Sequence, residues 1–233
     1  MKVYFVGAGP GDPKLMTLRG HELIEGADLI IYAGSLVNPE VLSNAKGKKV
    51  DSFGMTLEQT TRLIVDAWKQ GLRVVRLHSG DATIYSAVRE QIRALQPFNI
   101  DYEIIPGVSS VFASAAALGE QLTSDTLVIT RPSGKTLEED QLVELSNLKP
   151  TMAILLGVDQ IDTIMQRVRY APQTPTSVVY HATWDDQVIV TGTVSDIASK
   201  TREAGITKSA IILIGDELNL EDERRSYLYS PKA

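Results

Sequence analysis

Val3-Tyr4-Phe5-Val6 runs directly into Gly7-Ala8-Gly9-Pro10-Gly11-Asp12-Pro13. An apolar, β-branched run that breaks into glycines is how a parallel α/β sheet delivers a ligand loop at the carboxyl edge of a strand. The spacing is close to a dinucleotide fingerprint, but Asp12 stands where the third glycine of G-x-G-x-x-G belongs. A carboxylate there repels a pyrophosphate at the next helix N-terminus, where an anion should sit. Pro10 also removes a backbone N–H, and N–H groups are what a phosphate cradle is made of. The next apolar run, 29–32, ends in Ala33-Gly34-Ser35, with no acid to hold a ribose 2′-hydroxyl. These mismatches argue against NAD and for a different ligand.

Working outward, the first half alternates apolar runs with helical patterns. Strands are expected over 3–6, 29–32, 49–51, 73–77 and 102–105, and helices over 17–25, from Thr56 to Gly71, over 84–95 and over 111–118. Thr17 is a plausible N-cap, Thr56 with Gln59 forms a capping box, and Ser109 or Ser110 caps the last of these helices. Strands joined by helices imply a parallel sheet buried on both faces. The second half reads as strands over 126–130, 151–155, 177–181, 187–191 and 210–214, helices over 161–168 and 194–204, and a polar loop over 131–140. A short turn over 182–186 between neighbouring strands makes the second sheet partly antiparallel. The expected architecture is two α/β domains, 1–119 with a parallel sheet and 120–233 with a mixed sheet, and an interdomain cleft as the ligand site. The charged stretch from 218 onward is expected to be a mobile tail.

Composition narrows the function. In 233 residues there are 23 Lys and Arg against 29 Asp and Glu, a formal charge of −6, which is the wrong sign for sequence-independent nucleic-acid binding. No run of about 18 apolar residues and no secretory h-region are visible, so a cytoplasmic protein without a membrane span is expected. The absence of cysteine excludes disulfides, thiolate zinc sites, Fe–S clusters and a cysteine nucleophile. His21, His78 and His181 are far apart and show no metal-ligand spacing, so no metal is expected.

Further loops follow other strands. In His78-Ser79-Gly80-Asp81, Gly80 permits close approach of a ligand, and Asp81 is read either as an acceptor for that ligand or as the cap of the next helix. Pro106-Gly107-Val108-Ser109-Ser110 is read alone as a turn plus N-cap. In Tyr180-His181-Ala182-Thr183-Trp184, the small residue between a strand and an aromatic suits a flat ligand, with core packing of Trp184 the alternative. No nucleophile–base–orienter set is visible; His78 and His181 stand at strand ends expected to face the cleft and remain open as proton acceptors. A reaction that needs neither an enzyme nucleophile nor a metal fits best, and alkyl transfer from an activated donor is one.

Taken together, these loops resemble the tetrapyrrole methylases. The first signature resembles Gly7 to Pro13 with Leu15 and Thr17, and the second resembles Val75-Arg76-Leu77-His78-Ser79-Gly80-Asp81 through Tyr85-Ser86 to Pro106-Gly107. Within the family, Tyr32-Ala33-Gly34-Ser35-Leu36-Val37, Gly54-Met55-Thr56-Leu57-Glu58, His78 and Ala182-Thr183-Trp184 resemble the subgroup that methylates C11 of a corrin precursor. The resemblance implies S-adenosylmethionine as methyl donor, in contact with Ser79, Gly80, Asp81, Ile84, Ser109, Ser110, Leu156 and Ala182, with Pro10 at the edge. It implies a tetrapyrrole acceptor facing the glycine-proline loop, positioned by Pro10, Asp12, Met55, His78 and Tyr85, and it implies a homodimer. Lys14, Arg19, Arg76 and Arg131 are candidates for the acceptor's carboxylates. Ala82 departs from the proline common after Gly-Asp, and 122–125 is shorter than the resemblance leads one to expect. Two readings remain beside this one: a methylase acting on another corrin carbon or a diphthamide precursor, and a non-catalytic tetrapyrrole-binding protein.

Overall fold

The computed structural model describes residues 2–122, 126–134 and 137–218. The chain forms two compact units that divide between Ser110 and Val111.

The first unit is a five-stranded sheet in the order β3-β2-β4-β1-β5, with β1 Val3–Gly7, β2 Leu29–Tyr32, β3 Lys48–Asp51, β4 Val74–His78 and β5 Tyr102–Ile105. Every pairing is parallel, so all five carboxyl ends share one edge. Alternation along the strands explains why both faces are covered. Val3, Phe5, Ile31 and Val74 pack with Ile64, Val65, Ile92 and Leu95 of α2 (Leu57–Lys69) and α3 (Val88–Leu95). Val6, Ile30, Val75 and Leu77 pack on the other face with Leu23 and Ile24 of α1 (Leu18–Glu25). Each such fully buried side chain contributes about 1.5–3 kcal/mol. The N-caps expected at Thr17 and Thr56 are present, the latter as a complete capping box with Gln59.

The second unit holds α4 (Ser110–Leu118, whose first residue closes the first unit), β6 Leu127–Thr130, α5 Leu142–Ser146, β7 Thr151–Ile154, α6 Ile161–Arg167, β8 Pro175–Tyr180, β9 Val188–Thr193, α7 Ile197–Glu203 and β10 Ala210–Ile214. Its sheet runs β6-β7-β10-β8-β9; β6 and β7 are parallel, whereas β10 is antiparallel to both β7 and β8. The β8–β9 pair is the expected antiparallel hairpin. Because β10 reverses direction between them, β7 and β8 end on the same edge of this sheet, beside the end of β6.

Three expectations need amendment. The helix expected over 84–95 begins only at Val88, because Tyr85 (φ 49°) and Ala87 (φ 55°) are left-handed and break the right-handed helix before it starts. The units divide before α4 rather than after it, at 119, since Val111 and Ala115 pack with Ala153 and Leu213 of the second sheet. Short α5 was not expected; Asp140 starts it by accepting from Leu142 N at 3.1 Å and from Ser133 N at 2.6 Å while Arg167 clamps both carboxylate oxygens at 2.6 and 2.9 Å. Residues 123–125 of the segment noted as short, and the tail from 219 onward, lie outside the described residues.

Candidate functional site

At the carboxyl edge of the first sheet, three loops meet backbone to backbone. Gly9 N donates to Gly80 O at 3.1 Å and Gly80 N returns a bond to Gly9 O at 2.8 Å, joining the loops after β1 and β4. A Cβ on Gly107 would lie 2.2 Å from Gly80 O, and one on Gly7 would lie 2.6 Å from the same oxygen and 2.7 Å from Gly107 N. These two glycines are therefore required by the packing of the loops on one another. Gly80 differs: it needs its left-handed backbone (φ +62°), while a Cβ there would make only ordinary contacts, 3.5 Å from Ser110 N and 3.7 Å from Ser109 Cα.

Asp81 fastens this floor. Its Oδ2 accepts from Gly107 N at 2.9 Å, and its Oδ1 accepts from Thr83 N at 2.7 Å and from the Thr83 hydroxyl. Partial burial pushes its pKa up, but the bonds from Thr83 and Gly107 outweigh it and hold the carboxyl below its ordinary value. Of the two sequence readings, neither is complete: Asp81 caps a turn at Thr83 rather than the next helix, and it ties the β4 loop to the β5 loop. Ser79, Ile84 and Ser110 are half-buried around this floor, and Ser109 and Pro10 are buried in it.

The side chains proposed for the acceptor divide. Asp12 takes Lys14 N at 2.8 Å and caps the turn Pro13–Leu15, which fixes the glycine-proline loop. Met55 is half-buried and Tyr85 is exposed on the strained turn before α3. His78 is a correction. It is only 6% exposed and stacks on Phe5 with ring centroids 6.1 Å apart, so it does not face open space. Burial, then the Arg76 charge, lowers its pKa to about 3, which leaves it neutral and a poor proton acceptor; its Nε2 has no hydrogen-bond partner. Arg76 is also committed inside the unit, donating from Nε to Gln91 Oε1 at 2.9 Å and from Nη1 to Ser52 Oγ at 3.1 Å. Burial depresses its pKa to about 10 and nearby Asp51 opposes that, so it stays charged. Among the other cations named for carboxylates, Arg19 lies 3.8 Å from Glu22 and Lys14 is exposed.

Two features of this edge were missed in the sequence. Asp51, ending β3, accepts from Gly34 N and Phe53 N, both at 2.9 Å, and a Cβ on Gly34 would strike the carboxylate at 2.3 Å. The signal was present as an acid ending a strand and a glycine ending its neighbour. In addition, Leu15, Leu36, Phe53, Tyr85 and Val108, each in the loop after a different strand, are exposed. Together they give the edge an apolar rim suited to a flat ligand.

The second unit presents its own edge where β6, β7 and β8 end. Leu156 (φ 55°) follows β7, and His181 (φ 46°) and Thr183 (φ 73°) follow β8; all three are left-handed without being glycine. Ala182 between them is buried against Ala113 and Val179. His181 is sandwiched between Tyr180 (centroids 3.8 Å, 18° between planes) and Trp184 (4.3 Å, 20°), so Trp184 packs on a ring rather than in the core. Its Nδ1 lies 2.9 and 3.1 Å from the two carboxylate oxygens of Asp186. Among the described residues no cluster of His, Asp and Glu is arranged to hold a metal, and no helix is long and apolar enough to cross a membrane.

Residues 2–198 match the family model of the tetrapyrrole (corrin/porphyrin) methylases, and the chain belongs to that family. It is 49% identical, over 98% of its length and 92% of the relative's, to a cobalt-precorrin-4 C(11)-methyltransferase of Methanocaldococcus jannaschii. The solved structure of a cobalt precorrin-4 methyltransferase superposes with a TM-score of 0.89 at 38% identity, covering 94% of this chain and 96% of that one. A uroporphyrin-III C-methyl transferase from Thermus thermophilus, solved in complex with S-adenyl homocysteine, superposes with a TM-score of 0.80 at 27% identity, covering 94% and 99%.

Proposed function

We propose that this protein transfers a methyl group from S-adenosylmethionine to C11 of precorrin-4 or its cobalt complex, a step in making the cobalamin ring. The likeness to the M. jannaschii enzyme across 98% of the chain is what supports the reading most. The donor supplies a methyl group already activated by a positive sulfur, so the protein needs neither a nucleophile nor a metal of its own. Its task is to hold the acceptor carbon in line with the S–CH₃ bond and to exclude water.

The residues present suit that donor. Gly80 is proposed to offer that donor backbone without a side chain, with Ser79, Asp81, Ile84, Ser109 and Ser110 as further contacts and Pro10 at the edge. Leu156 and Ala182 are the contacts proposed from the second unit. Pro10, Asp12, Met55 and Tyr85 are proposed to position the macrocycle, which the exposed rim of Leu15, Leu36, Phe53 and Val108 would meet through its flat face. His78, being buried, is proposed only as a support beneath that edge.

The test supplies the purified tetrapyrrole, with and without cobalt, and a donor carrying ¹³C in its methyl group. Carbon NMR of the product is expected to place the label at C11. A label at another carbon keeps the family and overturns the position, and no transfer to a competent substrate revives the carrier reading. The protein is further proposed to be a homodimer, as the family resemblance implies; a monomer mass by light scattering at micromolar concentration contradicts this.

A further inference from the structure

We propose that Arg76 and Gln91 are positioning residues for the acceptor. A chain of hydrogen bonds runs from the loop after β3, through these two side chains, to the strained turn after β4, and so fixes Met55 and Tyr85 relative to each other. The inference rests on the methyl-transfer reading, in which Met55 and Tyr85 meet the macrocycle, and every residue in it belongs to the first unit.

Ser52 directly follows β3. Its N and Oγ both donate to Tyr32 O at the end of β2, at 2.8 and 2.9 Å, and its carbonyl accepts from Met55 N at 3.0 Å. The same hydroxyl oxygen accepts from Arg76 Nη1 at 3.1 Å, and Arg76 Nε donates to Gln91 Oε1 at 2.9 Å. Gln91 Nε2 then donates to Ser86 O at 3.3 Å and Ala87 O at 3.4 Å, the two carbonyls that follow Tyr85. A guanidinium only donates and a carbonyl only accepts, so this is the one way round the carboxamide can lie.

The turn needs such an anchor. Tyr85 and Ala87 are both left-handed, and Ala87 gives α3 no side-chain cap. Backbone of that kind persists where surrounding contacts over-determine it. Gln91 is only 8% exposed, and the largely buried Arg76 guanidinium has a carboxamide and a hydroxyl as its hydrogen-bond partners, with Asp51 acting through its nearby charge. Burying a charge among neutral groups is a poor source of stability, since apolar side chains of similar size do as well or better. A planar fork does, however, hold two loops at a set separation. The loop after β4 therefore has two anchors. Asp81 fixes residues 79–84, proposed for the donor, through Thr83 and Gly107, and Gln91 fixes the stretch that carries Tyr85.

Loss of the second anchor is expected to separate the two ligands. Gln91→Glu keeps an oxygen for Arg76 Nε and removes both N–H donors to Ser86 and Ala87. In the full-length protein, its kcat/KM for the acceptor tetrapyrrole is expected to fall about 10- to 100-fold, as a misplacement of about 1 Å can cause. Its affinity for S-adenosylhomocysteine by calorimetry is expected to stay within about twofold of wild type. Arg76→Met and Gln91→Met, made singly and together, test the chain itself. The double variant leaves neither partner's polar atoms behind, so it is expected to fold, and to lose no more acceptor kcat/KM than the worse single variant. Losses that multiply in the double variant overturn the inference. So does a Gln91→Glu protein that loses acceptor and S-adenosylhomocysteine affinity equally, which is the mark of general support for the edge. Acceptor kcat/KM within threefold of wild type in Gln91→Glu also overturns it, and transfer by wild type in that assay leaves the methyl-transfer reading standing. If wild type transfers no methyl group to a competent acceptor, that reading falls and takes this assignment with it.

Discussion

The two sheet edges hold their loops in unusual backbone by opposite means. At the first edge Gly7, Gly80 and Gly107 let three loops press on one another and Asp81 ties two of them together, with Tyr85 left-handed further along the β4 loop. At the second, the left-handed positions are Leu156, His181 and Thr183, of which His181 is held by ring stacking and by Asp186 and Thr183 by Gln187. The first edge is shaped by what side chains would obstruct, the second by what side chains supply.

The comparison breaks most readily at Gly107. Its substitution by Ala puts a methyl 2.2 Å from Gly80 O, between backbones that have no side chain to move aside. Overpacking of this kind costs about 3 kcal/mol or more, or a fall of roughly 6–12 °C in melting temperature for a chain of this size. Calorimetry showing an unshifted transition would mean that the three loops are free to part.

His78 sharpens the comparison from below the first edge. With its folded pKa lowered to about 3 against 6.5, the unfolded chain binds the extra proton between those values. Stability is then full above about pH 6.5 and falls as the solution is acidified toward pH 3, by at most about 1.4 kcal/mol per pH unit. His78→Leu removes the titrating group and the unpaired Nε2 together. It is expected to lie within about 1 kcal/mol of wild type at pH 7 and to be relatively more stable at pH 5 in denaturant titrations. A variant that loses acid stability in parallel with wild type would contradict the buried, neutral assignment.

The smallest effect is expected at the second edge. Leu156 is exposed and left-handed, so Leu156→Gly relieves strain while adding freedom to the unfolded chain, for a net change under about 1 kcal/mol that is neutral or stabilising. Leu156→Val, with its branched Cβ, is expected to melt lower by a few degrees. The reverse order would show that the backbone angle is not what constrains this position.

These differences also decide what could be read from the sequence. Glycines announce themselves, so the loop after β1, the parallel sheet and the β4 and β5 loops were legible, as were the caps at Thr17 and Thr56. Left-handed leucine, histidine and tyrosine carry no such mark, because these residue types ordinarily take right-handed or extended backbone. Hence Tyr85 and Ala87 were read into α3, and the constraint at Leu156 was invisible. The burial of His78 was legible and went unread. Val74, Arg76 and His78 alternate along β4, and Val74 packs in the α2 and α3 core, which puts His78 on that covered face rather than on open space. The unit boundary was misplaced because α4 is rich in small residues and shows little amphipathic pattern to say which sheet it covers. The stack at Tyr180, His181 and Trp184 depends on a loop conformation that spacing alone does not set.

The central proposal is that the methyl donor lies against the bare backbone of Gly80. Titration calorimetry with S-adenosylhomocysteine, without added metal, is expected to give one site per chain in wild type. Gly80→Leu, which puts a large side chain where the donor is proposed to meet backbone, is expected to give no measurable binding while circular dichroism shows a folded protein, and Gly80→Asn, whose side chain tolerates the left-handed backbone, is expected to bind with intermediate affinity. A folded Gly80→Leu protein that binds as tightly as wild type would contradict the claim and move the donor elsewhere.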